Sequence, residues 1–326
     1  MKINKIHISV IITTFNREKN IFELINSIIK QICISRNELE IIICDSNSIK
    51  KLSILNFIKQ FKSIKITYYN CKINHQAFKR NYGIKNSEGK YKILIDDDCF
   101  PEKKFICNYL KTLSLNRKKN IYFGLVNYVN FKENENLIKY RQSRVYSLPN
   151  QKSVPYKNFL TMNMAYNSDV IQKNEKFFDN RFRNYGFEDF EFAYRFKKKK
   201  YKLIQLKSIV FHRDNRGFKD FLKKYNFLGR HGVNDIIKIN LTAAKDLIYY
   251  KIEKNILINF LLKIPGASVF LHIFEKLIFF CEKKISIYIP FLYNMGIGIA
   301  YLKGATLRKS LSNKNFLNIK KNDWYK

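Results

Sequence analysis

Three consecutive carboxylates, Asp96, Asp97 and Asp98, follow directly on the apolar run Ile93-Leu94-Ile95, and Pro101 stands three positions beyond. Such a run reads as a buried strand that ends where the acids begin. Three adjacent carboxylates repel one another unless water or a cation separates them. Oxygen ligands suit Mg2+ or Mn2+ holding a phosphorylated ligand; a solvated acidic turn is the plainer alternative. Other groups capable of chemistry recur at the ends of apolar runs. Asp45 follows Leu39 to Cys44, His212 follows Leu203 to Phe211, and Glu188-Asp189 opens a helical stretch. A carboxylate pair there can serve as a general base or simply cap the helix and favour its positive end.

The elements that must position these groups alternate. Ile8 to Ile12 is a short β-branched strand, followed by the loop Thr13 to Arg17. Ile21, Leu24, Ile25, Ile28, Ile29 and Ile32 then recur at helical spacing. After the strand 39–44, Leu52, Leu55, Ile58 and Phe61 predict a second helix, and Ile64 to Tyr69 a third strand. Ala77 to Lys85 reads as a helix and Tyr91 to Ile95 as the fourth strand. This alternation predicts an α/β fold with a parallel, Rossmann-like sheet whose ligands gather at the carboxyl ends of the strands. Further on, the pattern predicts a helix over 103–115, strands over 121–128, 161–166 and 203–211, and a helix over 190–200. The polar stretch 130–155 reads as a mobile loop over the site.

Composition narrows the class. With 46% hydrophobic and 15% aromatic residues, 326 residues can bury a sizeable core, which excludes global disorder. The formal charge of +35 raises nucleic acid as a partner. Its lysines are scattered, no nucleic-acid-binding signature appears, and no nucleic-acid partner is expected. An anionic membrane surface or a phosphorylated substrate accounts for a basic chain as well. The six cysteines have no CxxC spacing and several lie in apolar runs, so free thiols acting as small hydrophobes are expected. Met1 to Ile6 lacks the apolar core of a signal peptide, which predicts a cytoplasmic catalytic part.

Five segments in order carry a resemblance. ISVIITTFNRE, EIIICDSNS, FKRNYGIKNSEGKYKILIDDDC, the stretch MNMAYNSDV to NYGFEDFEFAYRF, and the strand ending on His212 together resemble a family 2 glycosyltransferase of GT-A fold, over about residues 6 to 215. The fourth is similar to chondroitin-polymerase and β-1,4-galactosyltransferase-like catalytic domains. The resemblance implies a metal-dependent, inverting transfer of a sugar from a UDP-sugar to a hydroxyl, the enzyme being a hexosyltransferase or N-acetylhexosaminyltransferase. It implies Asp45 against the uracil imide with Thr13 lining the same pocket, a turn-stabilising Asp45 being the plainer alternative, and Arg80 near the base or pyrophosphate or in a structural ion pair. Asp96 or Asp97 would meet the ribose. Asp98 would hold Mn2+ or Mg2+ with His212 as a further ligand. Asp189 would be the general base, with neighbouring Glu188 helping it accept a proton near neutral pH. Asn163, Tyr185 and Gly186 would shape the donor-sugar and acceptor pocket. Cys44 and Ser46 depart from the family pattern, where Asp and Gly are usual.

Residues 1–215 are therefore expected to form the catalytic domain and 216–326 a helical, basic and apolar, membrane-associating extension. In that extension Phe218 to Gly232 has the pattern of an amphipathic basic helix, and Ile285 to Leu302 runs uncharged for long enough to span a bilayer. Flanking lysines and the amphipathic neighbour favour helices lying in the membrane interface. The expected acceptor is a surface polysaccharide, capsule or lipopolysaccharide among them, or a lipid-linked glycan at the inner face of a bacterial inner membrane. A processive polymerase and a non-catalytic basic binding protein on the same scaffold are the alternatives.

Overall fold

In the computed structural model, residues 7–46, 48–115, 119–129, 135–145, 153–171, 176–214 and 216–311 are described. The chain divides into two compact units. The first takes in residues 1–129, 145–180 and 189–214; the second takes in 130–144, 181–188 and 215–326.

The first unit is built on one eight-stranded sheet. Its strands are β1 (Ile8–Thr14), β2 (Leu39–Asp45), β3 (Lys65–Asn70), β4 (Tyr91–Asp96), β5 (Cys99–Pro101), β6 (Asn120–Val129), β7 (Asn163–Asn167) and β8 (Lys202–Arg213). The order is β3-β2-β1-β4-β7-β6-β8-β5. The first four in that order run parallel, as the alternation requires. The second half is mixed: β7 is antiparallel to both β4 and β6, β6 is parallel to β8, and β5 is antiparallel to β8. The parallel sheet expected from the strand–helix alternation is the first half. The chain reaches β7 from the opposite end, a matter of connection that local periodicity does not encode.

The helices associated with this sheet are α1 (Glu18–Ile29), α2 (Lys51–Ile58), α3 (Gln76–Lys85) and α4 (Phe105–Leu115). Along α1, Ile21, Leu24, Ile25 and Ile28 are buried at helical spacing; Ile32 lies past its end and is exposed. On α2 the buried position is Ile54, while Leu52, expected on the inner face, is exposed. Cys33, just past α1, is joined to Cys107 on α4, against the expectation of free thiols throughout. The two are 74 positions apart, so spacing gives no sign of the pairing. Cys44, Cys71, Cys99 and Cys281 are free, the first three buried.

Within the stretch expected to be a loop over 130–155, α5 (Glu135–Gln142) is a helix. Of that stretch, 130–134 and 146–152 lie outside the described residues. Then come α6 (Glu188–Lys198), α7 (Phe218–Phe227), α8 (Val233–Ile239), α9 (Leu241–Lys245), α10 (Ile248–Lys254), α11 (Ile256–Leu261), α12 (Ala267–Lys284) and α13 (Pro290–Leu311). The basic stretch 218–232, predicted as one helix, is helical throughout: α7 runs into a π-helical turn, Leu228–Gly232, which leads on to α8. The second unit has its own core, in which Leu137 and Tyr140 of α5 pack with Phe218, Phe221, Ile278 and Tyr293. Among the described residues no helix is long and apolar enough to cross a membrane.

One glycine tests the sheet directly. The β6–β8 register shifts between Phe123 and Leu125, and a Cβ on Gly124 would lie 1.9 Å from the Ser208 carbonyl oxygen and 2.3 Å from Asn163 Nδ2. Gly124→Ala should lower stability by roughly 1–3 kcal/mol or more, because backbone rather than a flexible side chain must yield. Chemical denaturation measures it, and an unchanged midpoint would contradict this packing.

Candidate active site

The strand register brings the first cluster together. Thr14 lies opposite Asp45, and Thr13 lies opposite Asp96, so the carboxyl ends of β1, β2 and β4 form one rim. Asp96, Asp97 and Asp98 continue past β4, and two arginines neutralise them. Arg17 Nη1 lies 2.7 Å from an Asp97 oxygen and 2.5 Å from an Asp98 oxygen. Thr14 Oγ1 donates to Asp97 at 2.7 Å. Arg80 Nη1 lies 2.7 Å from Asp189 and its Nη2 3.2 Å from Asp96, with the guanidinium above the Phe178 ring. Arg80 is thus the bridge that ties the carboxylate at the head of α6 to the first acid of the triplet. Of its two expected roles, an ion pair is the one visible here.

Burial shapes the protonation of this cluster. It pushes the Asp97 carboxyl up to about 6, against the pull of Arg17 and with Asp98 adding to the rise. Burial also raises Asp96, opposed chiefly by Arg80. Arg17 stays charged although burial works against it, because Asp97 and Asp98 face it.

His212 arrives by a different route. β5 and β8 pair so that Cys99 lies opposite His212. His212 Nε2 is then 3.3 Å from Asp98 Oδ1, and the ring packs beside Tyr128. Asp98, Cys99 and His212 bring one potential ligand atom each to within 4.8 Å of one another, all from buried residues. A carboxylate oxygen and an imidazole nitrogen suit a divalent cation of the Mn2+ or Mg2+ kind, and a sulfur beside them adds a softer donor. The donor set therefore fits the divalent metal that the fold implies.

Other expected site residues have their polar atoms engaged by the chain itself. Asp45 is fully buried. Its Oδ1 accepts from Ser46 N at 2.7 Å and Ser48 Oγ at 2.5 Å, and its Oδ2 from Ser48 N at 3.2 Å and Tyr68 Oη at 2.5 Å. Four bonds match what one carboxylate accepts, so Asp45 organises the β2–α2 turn rather than presenting a vacant oxygen to a base. Asn163 is likewise buried in the sheet: its Oδ1 accepts from Tyr109 Oη at 2.6 Å, and its Nδ2 donates to the Leu125 and Ser208 carbonyls, each at 3.0 Å. It joins β7 to β6 and β8. Thr13 Oγ1 is buried at the rim and has no hydrogen-bond partner among the described residues.

Tyr185, Gly186 and Glu188 belong to the second unit. Gly186 takes φ +106°, a conformation that favours glycine, and a Cβ there would sit 2.3 Å from Leu228 Cδ1. Phe187 follows at φ +70° and packs beside Tyr249. These two left-handed residues set the start of α6 at Glu188.

Arg17, Thr14, Tyr68 and Lys79 were not singled out in the sequence, although Arg17 lies in the quoted segment ISVIITTFNRE. Lys79 is buried, and its Nζ donates to the Thr14 carbonyl at 3.0 Å and Asn74 Oδ1 at 2.9 Å. Its one sequence signal is a charge on the inner face of α3, which is easily taken for solvent-facing.

A mixed sheet of this order, with acids gathered at the ends of its parallel strands, is a GT-A-like fold, the class that handles nucleoside-diphosphate sugars. Residues 9–225 match the profile described as glycosyl transferase family 2, and the chain belongs to that family. A relative from Methanococcus voltae is 28% identical over 91% of this chain and 96% of its own length; it is named dolichyl N-acetyl-alpha-D-glucosaminyl phosphate 3-beta-D-2,3-diacetamido-2,3-dideoxy-beta-D-glucuronosyltransferase. An uncharacterized glycosyltransferase of Rickettsia conorii is 33% identical over 44% of this chain and 23% of its own. Among solved structures, the mannosyltransferase PcManGT from Pyrobaculum calidifontis, in complex with GDP-Man and Mn2+, is similar with a TM-score of 0.59 at 16% identity, covering 95% of this chain and 88% of that one. S. aureus TarS in complex with UDP-GlcNAc gives 0.51 at 16% identity, covering 98% and 95%. At these identities the likeness is one of fold.

Burial lowers the Lys79 ammonium from 10.5 to about 8, with Asp97 and Asp45 opposing the drop. The unfolded chain therefore binds more protons than the folded one between about pH 8 and 10.5, and Lys79 contributes a rise in stability across that window. Its burial weighs most fully against folding below about pH 8. Lys79→Met should lack this rise, so its stability relative to wild type should fall as pH climbs through the window, measured by urea denaturation. A pH-independent difference would contradict the buried-amine assignment.

Proposed function

We propose that this glycosyltransferase moves a hexosyl or N-acetylhexosaminyl group from a UDP-sugar to a hydroxyl of a lipid-linked glycan or surface polysaccharide, with inversion. Residues 1–215 form the catalytic domain and 216–326 its extension. The observation that carries the reading is the Arg80 bridge, which holds Asp189 beside the acids that end β4. A general base must be aimed before the acceptor arrives, and a guanidinium 2.7 Å away fixes its direction. Asp189 takes the proton from the acceptor hydroxyl as that oxygen attacks the anomeric carbon. Glu188 keeps the head of α6 acidic.

On the donor side, Thr13 and the turn organised by Asp45 receive the uracil, Asp96 and Asp97 face the ribose, and Arg17 and Arg80 meet the diphosphate. Asp98 and His212 would hold Mn2+ or Mg2+, with Cys99 beside them. When bound, the cation supplies positive charge against the departing diphosphate.

A lipid-linked acceptor is supported by the Methanococcus voltae relative, whose name gives a dolichyl-linked sugar phosphate, over nearly its whole length. The protein would work peripherally or monotopically at the cytoplasmic face of a bacterial inner membrane. The Cys33–Cys107 disulfide pulls against a cytosolic setting, since such bonds are rare there. Thiol-probe labelling of these two cysteines in intact cells therefore bears on the compartment.

Two substitutions test the chemistry. Asp98→Ala should abolish metal-dependent hydrolysis of the UDP-sugar as well as transfer. Asp189→Asn should keep donor affinity within about twofold while lowering kcat for transfer by roughly 100-fold to 10,000-fold. Donor binding is read by calorimetry and transfer by release of UDP. Wild-type transfer rates in either variant would sink the corresponding role.

A further inference from the structure

An exposed apolar surface runs along α11 and α12 in the second unit. On α11, Leu257 is 66% exposed and Phe260 64%, with Leu261 beside them. Pro265 and Gly266 then turn the chain, Gly266 at φ +88°, into α12. There Val269, Phe270, Ile273, Leu277 and Phe280 are all exposed, while Ile278 is buried. Steps of three and four put the exposed set on one stripe and Ile278 on the opposite side. Monomeric proteins seldom leave so continuous an apolar stripe facing water.

Charge identifies what covers it. Between residues 248 and 284 the lysines 251, 254, 263, 276, 283 and 284 are all exposed. The acids of the same segment turn away. Glu253 is bound by Arg308 and Tyr301, Glu275 by Lys303, and Glu282 is half-buried. At 100° per residue, Lys276 and Lys283 flank the apolar stripe of α12 and Lys284 lies within it. A second copy of this face would oppose lysine to lysine. An anionic bilayer surface offers hydrocarbon to the stripe and phosphate to its flank.

We propose that α11 and α12 form a membrane-docking face selective for anionic phospholipid, lying in the interface without crossing it. α12 is amphipathic rather than apolar all round, in keeping with the lack of a helix able to span a bilayer among the described residues. This deepens the membrane-surface reading above and rests on it. The face would keep the enzyme on the surface where a lipid-linked acceptor is found.

Flotation of the full-length protein with vesicles tests this. Wild type should bind vesicles of phosphatidylcholine with about one-quarter phosphatidylglycerol at least about tenfold better than phosphatidylcholine alone. A Phe270→Ser, Leu277→Ser variant should lose about tenfold or more of that binding, and so should Lys276→Glu, Lys283→Glu, Lys284→Glu. Circular dichroism of both should match wild type. Equal flotation of variants and wild type, or no preference for the anionic lipid, overturns the proposal. A wild-type dimer in light scattering that the serine variant converts to monomer, with vesicle binding unchanged, assigns the face to a second copy instead. UDP-sugar hydrolysis in solution should be the same in all three proteins. If wild type hydrolyses no UDP-sugar, the donor reading fails while flotation still decides the docking face.

Discussion

The first unit depends on neutralising carboxylates that stand close together, Asp97 and Asp98 buried, Asp96 and Asp189 partly so. Asp96, Asp97 and Asp98 leave a strand whose other residues are core, and Asp189 joins them from α6. Arg17 and Arg80 divide the task, the first holding Asp97 and Asp98, the second Asp96 and Asp189. Removing one partner from a well-buried pair costs roughly 3–5 kcal/mol, because the other charge is left without compensation. The cost for Arg17 is smaller, since about a third of its side chain meets water. The cluster is therefore stable only as a whole, and the loop after β1, helix α3 and the head of α6 are fixed by the charges they deliver.

Around that cluster the sheet supplies rigidity through polar groups at its centre. Asn163 joins three strands with one amide, and Tyr109 of α4 closes on it from the helix layer. Gly124 allows the close approach, because any side chain there would meet the Ser208 carbonyl. Asp45 does comparable work at the β2–α2 turn. Residues that look like ligand contacts in a family pattern thus also hold the backbone of the sheet and its turns.

The second unit follows another logic. Its inner core is aromatic, with Tyr140 stacked on Tyr293 and Phe218 set edge-on to Tyr293. Its outer stripe on α11 and α12 is apolar with a basic flank. Such an arrangement stabilises the unit from within while leaving a large unburied hydrophobic area for an external phase.

The sequence by itself determined the strand–helix alternation, the strands that end on Asp45 and Asp96, and the helix that follows Glu188-Asp189. Each is a local pattern of period two or 3.6, closed by a residue that cannot continue it. The placement of acids at strand ends was legible for the same reason. Tertiary structure alone decided the antiparallel direction of β7, the joining of Cys33 to Cys107, the Arg80 bridge and the engagement of Asp45 and Asn163 by their own surroundings. It also brought His212 to Asp98 across 114 positions of chain, through the pairing of β5 with β8. Those partners are distant in sequence, and what a polar side chain bonds to depends on which strands the topology makes neighbours.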